Sequence, residues 1–175
     1  MPIVREISYD GFRFRSKIEA QWYVFFKTLG VDVHYEPETI ALERFDGKIT
    51  NYLVDYYLPD LDAYVEIKLS TCPTHEESMK CYLLAQQTGK DCFLFYETIG
   101  KKNMNGYLYE GGSGMFRPLQ RWTQCPKCSS FGITSQGRVG MLSCGCCKDD
   151  ELLTNSESYA IKEAVDVVRA ERFGA

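Results

Sequence analysis

Between residues 16 and 29 the apolar positions Ile18, Trp22, Phe25 and Leu29 recur three or four residues apart. That spacing places them on one face of a helix, and Gly30 stops it. The pattern then shortens. Residues 31–36 (VDVHYE) read as a strand ending at Pro37. After a polar stretch, residues 50–58 and 62–69 are rich in aromatic and β-branched side chains and flank Pro59 and Asp60, which predicts a β-hairpin. Glu76 to Thr88 predicts a second helix, stopped by Gly89, and residues 92–97 (CFLFYE) a short buried strand. Helix, three strands, helix, strand is the order of an α/β core, a mixed sheet with helices packed on it.

The character changes at residues 100–118, rich in Gly, Asn and Tyr, where a domain boundary is expected. Cysteine-rich sequence runs on to Cys147, and a last helix spans about 156–173 with an apolar stripe of Ile161, Ala164, Val165 and Val168 suited to docking on a neighbour. The expected organisation is a core at 1–100, a small module at 101–150 and a C-terminal helix at 151–175. Charge follows these divisions. Residues 1–100 carry 10 Lys/Arg against 16 Asp/Glu, residues 101–148 carry seven bases against one acid, and residues 149–175 are acidic again. An acidic body with a basic module suits contact with a polyanion. The N-terminal MPIVREISYDG has no long apolar stretch, and the apolar clusters are too short to span a bilayer, so a soluble intracellular protein is expected.

The hairpin carries charge where a core would want hydrocarbon. Asp55 lies in its first strand, Glu66 and Lys68 in its second, with Val65 and Ile67 interleaved. Side chains alternate along a strand, so Glu66 and Lys68 share one face, and Asp55 can approach them across the hairpin. Two carboxylates with a free edge suit magnesium, a hard ion that takes oxygen ligands, and the backbone carbonyl of Ile67 could add one more. A lysine beside such an ion could orient or deprotonate a water, or stabilise charge on a phosphorane. Together the parts suit metal-assisted phosphodiester hydrolysis. Glu36 is a further candidate ligand from the neighbouring strand. Asp60 and Asp62 read as turn residues.

Asp55, ten residues, then Glu66-Ile67-Lys68 resembles the signature of the PD-(D/E)XK nuclease superfamily. FRSKIEAQW places Glu19 where one branch, that of phage junction-resolving and transposon end-cleaving endonucleases, carries a glutamate on its first core helix. HYEPE (34–38) and YLVDYYLP (52–59) resemble recurrent phrases of the same family. Val54 stands where the family's name has proline. The resemblance covers residues 12–97. It implies a restriction-endonuclease-like core, catalytic Glu19, Asp55, Glu66 and Lys68, magnesium or manganese at Asp55, Glu66 and Ile67, and DNA cleavage in phage or bacterial replication, recombination or defence. The setting it implies is the cytoplasm of a bacterial or phage-infected cell. Glu19 has a second reading, because Ser16-x-x-Glu19 is also a helix capping box.

Cys125-x-x-Cys128 and Cys144-x-x-Cys147, separated by 15 residues, match a zinc-ribbon pattern, a closed four-thiolate site that holds structural zinc. Cys146 is an alternative to Cys147. Cys72, Cys81 and Cys92 read as small buried hydrophobes. Around the ribbon, Arg117, Arg121, Trp122, Lys127, Phe131 and Arg138 interleave bases with aromatics, as a surface gripping nucleic acid does. Trp122 and Phe131 could equally pack the module onto the core. The implied partners are DNA and a protein docked through the ribbon or final helix. Cutting both strands at once would favour a homodimer. The alternative to an endonuclease is a catalytically silent nucleic-acid-binding module or a docking subunit of a recombination complex.

Overall fold

The computed structural model describes residues 6–69, 72–96, 98–100, 104, 106–125, 128–135, 138–141 and 158–173. The chain is mixed α/β. Among the described residues are twelve strands and three α-helices, and none of the helices is long and apolar enough to cross a membrane.

The chain opens with a hairpin absent from the expectations above, β1 (Ile7–Tyr9) and β2 (Phe12–Phe14). Its turn residues Asp10 and Gly11 both have positive φ, 50° and 80°, the geometry that matches the twist of paired strands. Helix α1 (Lys17–Thr28) follows, with Ser16 as N-cap. Only His34–Tyr35 of the expected strand at 31–36 pairs, forming β3. The polar stretch after it contains a strand, β4 (Thr39–Glu43), which pairs antiparallel with β5 (Ile49–Leu53) in a two-stranded sheet of its own. The single strand expected over 50–58 is therefore two. The chain leaves β5, turns at Val54 and Asp55, and enters the main sheet as β6 (Tyr56–Leu58). A 3₁₀ turn at Pro59–Leu61 and left-handed Asp62 (φ 48°) return it as β7 (Ala63–Lys68). Asp60 and Asp62 thus occupy the turn as expected.

Helix α2 (His75–Thr88) starts on a complete capping box, Thr74 with Glu77, and ends on left-handed Gly89. It connects β7 to β8 (Cys92–Tyr96), which pair in parallel. A parallel neighbour requires a crossover of this kind. The sheet continues antiparallel through β9 (Gly106–Tyr109), β10 (Phe116–Gln124), β11 (Phe131–Ser135) and β12 (Arg138–Met141), giving the order β12-β11-β10-β9-β8-β7-β6-β3. The boundary expected near residue 100 falls between β8 and β9, neighbours in this sheet. Strand β10 shifts register against β9 between Arg117 and Gln120, pairs with β9 on both sides of the shift, and pairs with β11 over Arg121–Gln124.

Two apolar layers cover the sheet. Val65, Ile67, Phe93 and Phe95 meet Trp22, Phe25 and Phe26 of α1 on one face. Tyr64, Cys92 and Leu94 meet Cys81, Leu83 and Leu84 of α2 on the other. Helix α3 (Tyr159–Ala170) buries Ile161, Ala164, Val165 and Val168, and the neighbour that its stripe docks on is α1 of the same chain. Of the three scattered cysteines, Cys81 and Cys92 are buried as expected, whereas Cys72 is exposed.

Candidate active site

Alternation along β7 sends Val65 and Ile67 into the α1 layer and leaves Glu66 and Lys68 on the α2 side. The turn between β5 and β6 brings Asp55 to the same place. Asp55 donates its backbone N–H to Glu66 Oε2 (3.2 Å), and its Oδ2 accepts from the backbone N–H of Ile67 (2.8 Å). Lys68 forms an ion pair with Glu66 Oε1. Asp55 and Glu66 are almost fully buried, while the Lys68 side chain keeps 31% of its exposure. Ile67 enters the site here through its N–H. Glu19 stands apart from this trio on the first turn of α1, where Oε1 accepts from the Ser16 hydroxyl (2.6 Å) and Oε2 from Tyr35 (2.7 Å) and the backbone of Arg15 (3.2 Å).

The link between the two groups is Arg15, which the sequence reading did not select. Its Nη2 donates to Asp55 Oδ1 (2.8 Å), its Nε lies 2.5 Å from Glu36 Oε1, and the same Nε is 4.0 Å from Glu19 Oε2. Glu36 Oε1 is enclosed and off the N–H axis, so this contact is an ion pair without a hydrogen bond. Glu36 itself holds φ 44°, a strained conformation for a residue with a Cβ, and its N–H is tied to the Asp55 carbonyl (2.8 Å). Tyr56 fixes the helix from below by donating to the Glu19 carbonyl (2.6 Å).

The electrostatics follow from crowding. Burial pushes the Asp55 carboxyl well above its ordinary range, Glu66 adds to the rise, and Lys68 and the Ile67 N–H oppose it. Burial works against the Lys68 charge too, but Asp55 and Glu66 outweigh it and hold the ammonium above its usual value. The Arg15 guanidinium is raised in the same way by Asp55, Glu19 and Glu36 against its own desolvation. Burial first, and then the hydrogen bond to Glu19, keep the Tyr35 phenol neutral and donating. A cleft of about 310 Å³ opens on Glu66 and Lys68, walled by Arg15, Asn51 and Tyr52 and by Glu77 and Lys80 of α2. Two other cavities, of about 390 and 460 Å³, lie between the β4–β5 hairpin and α2, away from the carboxylates. Chemistry, and not size, selects the first.

No family model, curated protein or solved structure matches the chain.

The donor set fits a divalent ion of the hard class. Asp55 and Glu66 offer only oxygen, and Glu66 adds to the rise that burial imposes on Asp55, which a dication would relieve; among the described residues no three acids converge on one point, and Glu19 stands apart. The cap reading of Glu19 is seen in the Ser16 Oγ, which accepts the Glu19 N–H (3.3 Å), and the Glu19 carboxylate at the same time accepts from the Arg15 backbone and Tyr35. The capping box is not closed in the usual way, since Glu19 reaches the N–H of Arg15 and not that of Ser16. Glu19→Gln keeps one oxygen to accept from Tyr35 and Arg15, loses the charge and turns an N–H2 group toward Ser16. We expect its stability to fall by about 1 kcal/mol and, on the nuclease activity that the sequence resemblance implies, its cleavage rate to fall by at least about tenfold. Equal cleavage with lower melting would leave Glu19 as a cap alone.

The second constellation is described in part. Cys125 and Cys128 lie on the turn between β10 and β11, with Cys125 buried and its carbonyl accepting from Ser129 N–H (2.9 Å). Positive φ at Ser129 (61°) tightens that turn. Cys144, Cys146 and Cys147 lie outside the described residues. Two thiols are the number that this half of the expected four-thiolate site would need. Trp122, one of the residues expected to serve either DNA or packing, is buried against α1 and β8.

Proposed function

We propose that the protein is a magnesium- or manganese-dependent endonuclease that hydrolyses DNA phosphodiester bonds, with a zinc-ribbon appendage on its sheet edge. The observation that carries this reading is Glu66 at a cleft, with one carboxylate oxygen paired to Lys68 and the other accepting the backbone N–H of Asp55, whose own carboxylate is buried behind it. The choice of DNA rests on the resemblance in the D…EIK signature and its flanking phrases.

Asp55 and Glu66 would hold the ion, and Glu19 is the third carboxylate that the resemblance implies. Bound there, a divalent ion supplies a Lewis acid and a water of lowered pKa. Lys68 remains an ammonium in the surroundings described, because both carboxylates favour its charge. An ion on those carboxylates would weaken their hold on that charge, so Lys68 would orient or deprotonate the attacking water, or stabilise negative charge on the phosphorus oxygens. The Ile67 N–H holds Asp55 Oδ2, which orients the carboxylate.

The test is cleavage by purified protein, with magnesium or manganese, on supercoiled plasmid, linear duplex, single strand, flap and four-way junction. Cutting that chelation abolishes supports the reading and names the substrate class. Folded, zinc-loaded protein that cuts none of them would move the reading to a silent binding module or docking subunit. The ribbon has its own test. Metal analysis of freshly purified, reduced protein is expected to find about one zinc per chain, lost on Cys125→Ser substitution. Zinc-free wild-type protein would remove the ribbon.

A further inference from the structure

Arg15 occupies the position a cation would take. Its guanidinium touches Asp55 Oδ1, pairs with Glu36 and approaches Glu19, with its side chain 47% exposed at the mouth of the cleft. Four carboxylates (Glu19, Glu36, Asp55, Glu66) meet two cations (Arg15, Lys68), which leaves two formal negative charges in excess. That excess matches one divalent ion with Arg15 still in the cluster. Arg15 has to give up one oxygen, not the site.

We propose that Arg15 holds Asp55 Oδ1 until a divalent ion takes that oxygen, and then, anchored on Glu36, turns its free N–H groups to a substrate phosphate. This rests on the endonuclease reading above. Three properties support it. Asp55 and Glu19 are buried and fixed by backbone and tyrosine donors, so the half-exposed arginine is the partner able to move. The guanidinium keeps its charge at any working pH and presents a fork that can serve one carboxylate and one phosphate together. Glu36 is locked in a strained conformation by its N–H bond to the Asp55 carbonyl, so the anchor stays beside the site.

The experiment measures metal and DNA binding separately from cleavage. Manganese binding without DNA is followed by calorimetry for wild type, Arg15→Gln, Arg15→Lys and Asp55→Asn. Duplex binding is followed by fluorescence anisotropy in calcium over a range of salt. Arg15→Gln is expected to bind manganese about tenfold tighter, because its competitor for Asp55 is gone. It is expected to bind DNA about tenfold more weakly, with the salt slope reduced by about 1. Arg15→Lys, which keeps the charge but lacks the fork, should shift both in the same direction by less, and it serves where the Gln variant does not fold. Manganese affinity equal to or weaker than wild type in both Arg15 variants overturns the proposal while the metal site stands. Tighter manganese with unchanged DNA binding overturns the phosphate contact. Wild-type protein that binds no manganese at a site sensitive to Asp55→Asn overturns the metal reading, and this inference with it.

Discussion

Replacing Lys68 by alanine is expected to lower DNA cleavage by about 10³-fold or more while the protein still folds and binds DNA. On the proposed endonuclease reading the loss is large because the ammonium, on the same strand face as Glu66 and within the field of Asp55, would stand where negative charge develops. The substitution also costs stability. Glu66 is almost fully buried and loses its ion-pair partner, so stability should fall by about 3 kcal/mol. Asp55→Asn has the same consequence by another route, since it keeps the side-chain shape and removes the charge that would hold the ion. Turnover within tenfold of wild type in either variant, on the substrate that wild-type protein cuts best, would mean that the active site lies elsewhere.

The second large effect is on stability. Trp122 is 2% exposed, and its ring lies 5.6 Å from both Phe25 and Phe26 and 6.2 Å from Phe95. Strand β10 therefore supplies the far wall of the layer that seats α1. Trp122→Ala should cost about 3–5 kcal/mol in chemical denaturation. Trp122→Phe should cost much less, since the indole N–H has no partner among the described residues and its loss leaves nothing unpaired. The unfolding should remain one transition, because the same aromatic layer joins α1, β8 and β10. A loss below about 1 kcal/mol for the alanine variant, or two separated transitions, would show that the strands beyond residue 100 form a body of their own.

Both effects depend on how far the chain could be read before its structure. Helices α1 and α2 were legible from apolar spacing and their glycine stops, and β8 from a short apolar run. The face shared by Glu66 and Lys68 was legible from strand alternation alone. The break at Val54 and Asp55 was not, because YLVDYYLP is uniformly strand-like and nothing local marks a change of sheet. The β1–β2 hairpin carries a local signal in Asp10-Gly11, flanked by alternating apolar residues. Strand β4 was hidden because it pairs in a sheet of its own, with only Leu42 of its five residues fully buried. Arg15 was beyond reach for a different reason. Its importance comes from carboxylates that are distant in sequence, and Glu36 reaches it only through a left-handed backbone turn before a proline.

The alternation of β7 also gives the candidate site a parity. Tyr64, Glu66 and Lys68 face α2, and Val65 and Ile67 face α1. Pairing with β8 locks this arrangement, Glu66 opposite Leu94 and Lys68 opposite Tyr96. Insert one residue between Asp62 and Glu66 without a compensating bulge, and every side chain downstream changes sides. The two hydrocarbons would meet Asp55, and the carboxylate and ammonium would enter the aromatic layer. Two inserted residues restore the order. Along this strand, length can vary only in even steps, so the ancestry of the site would be written in pairs.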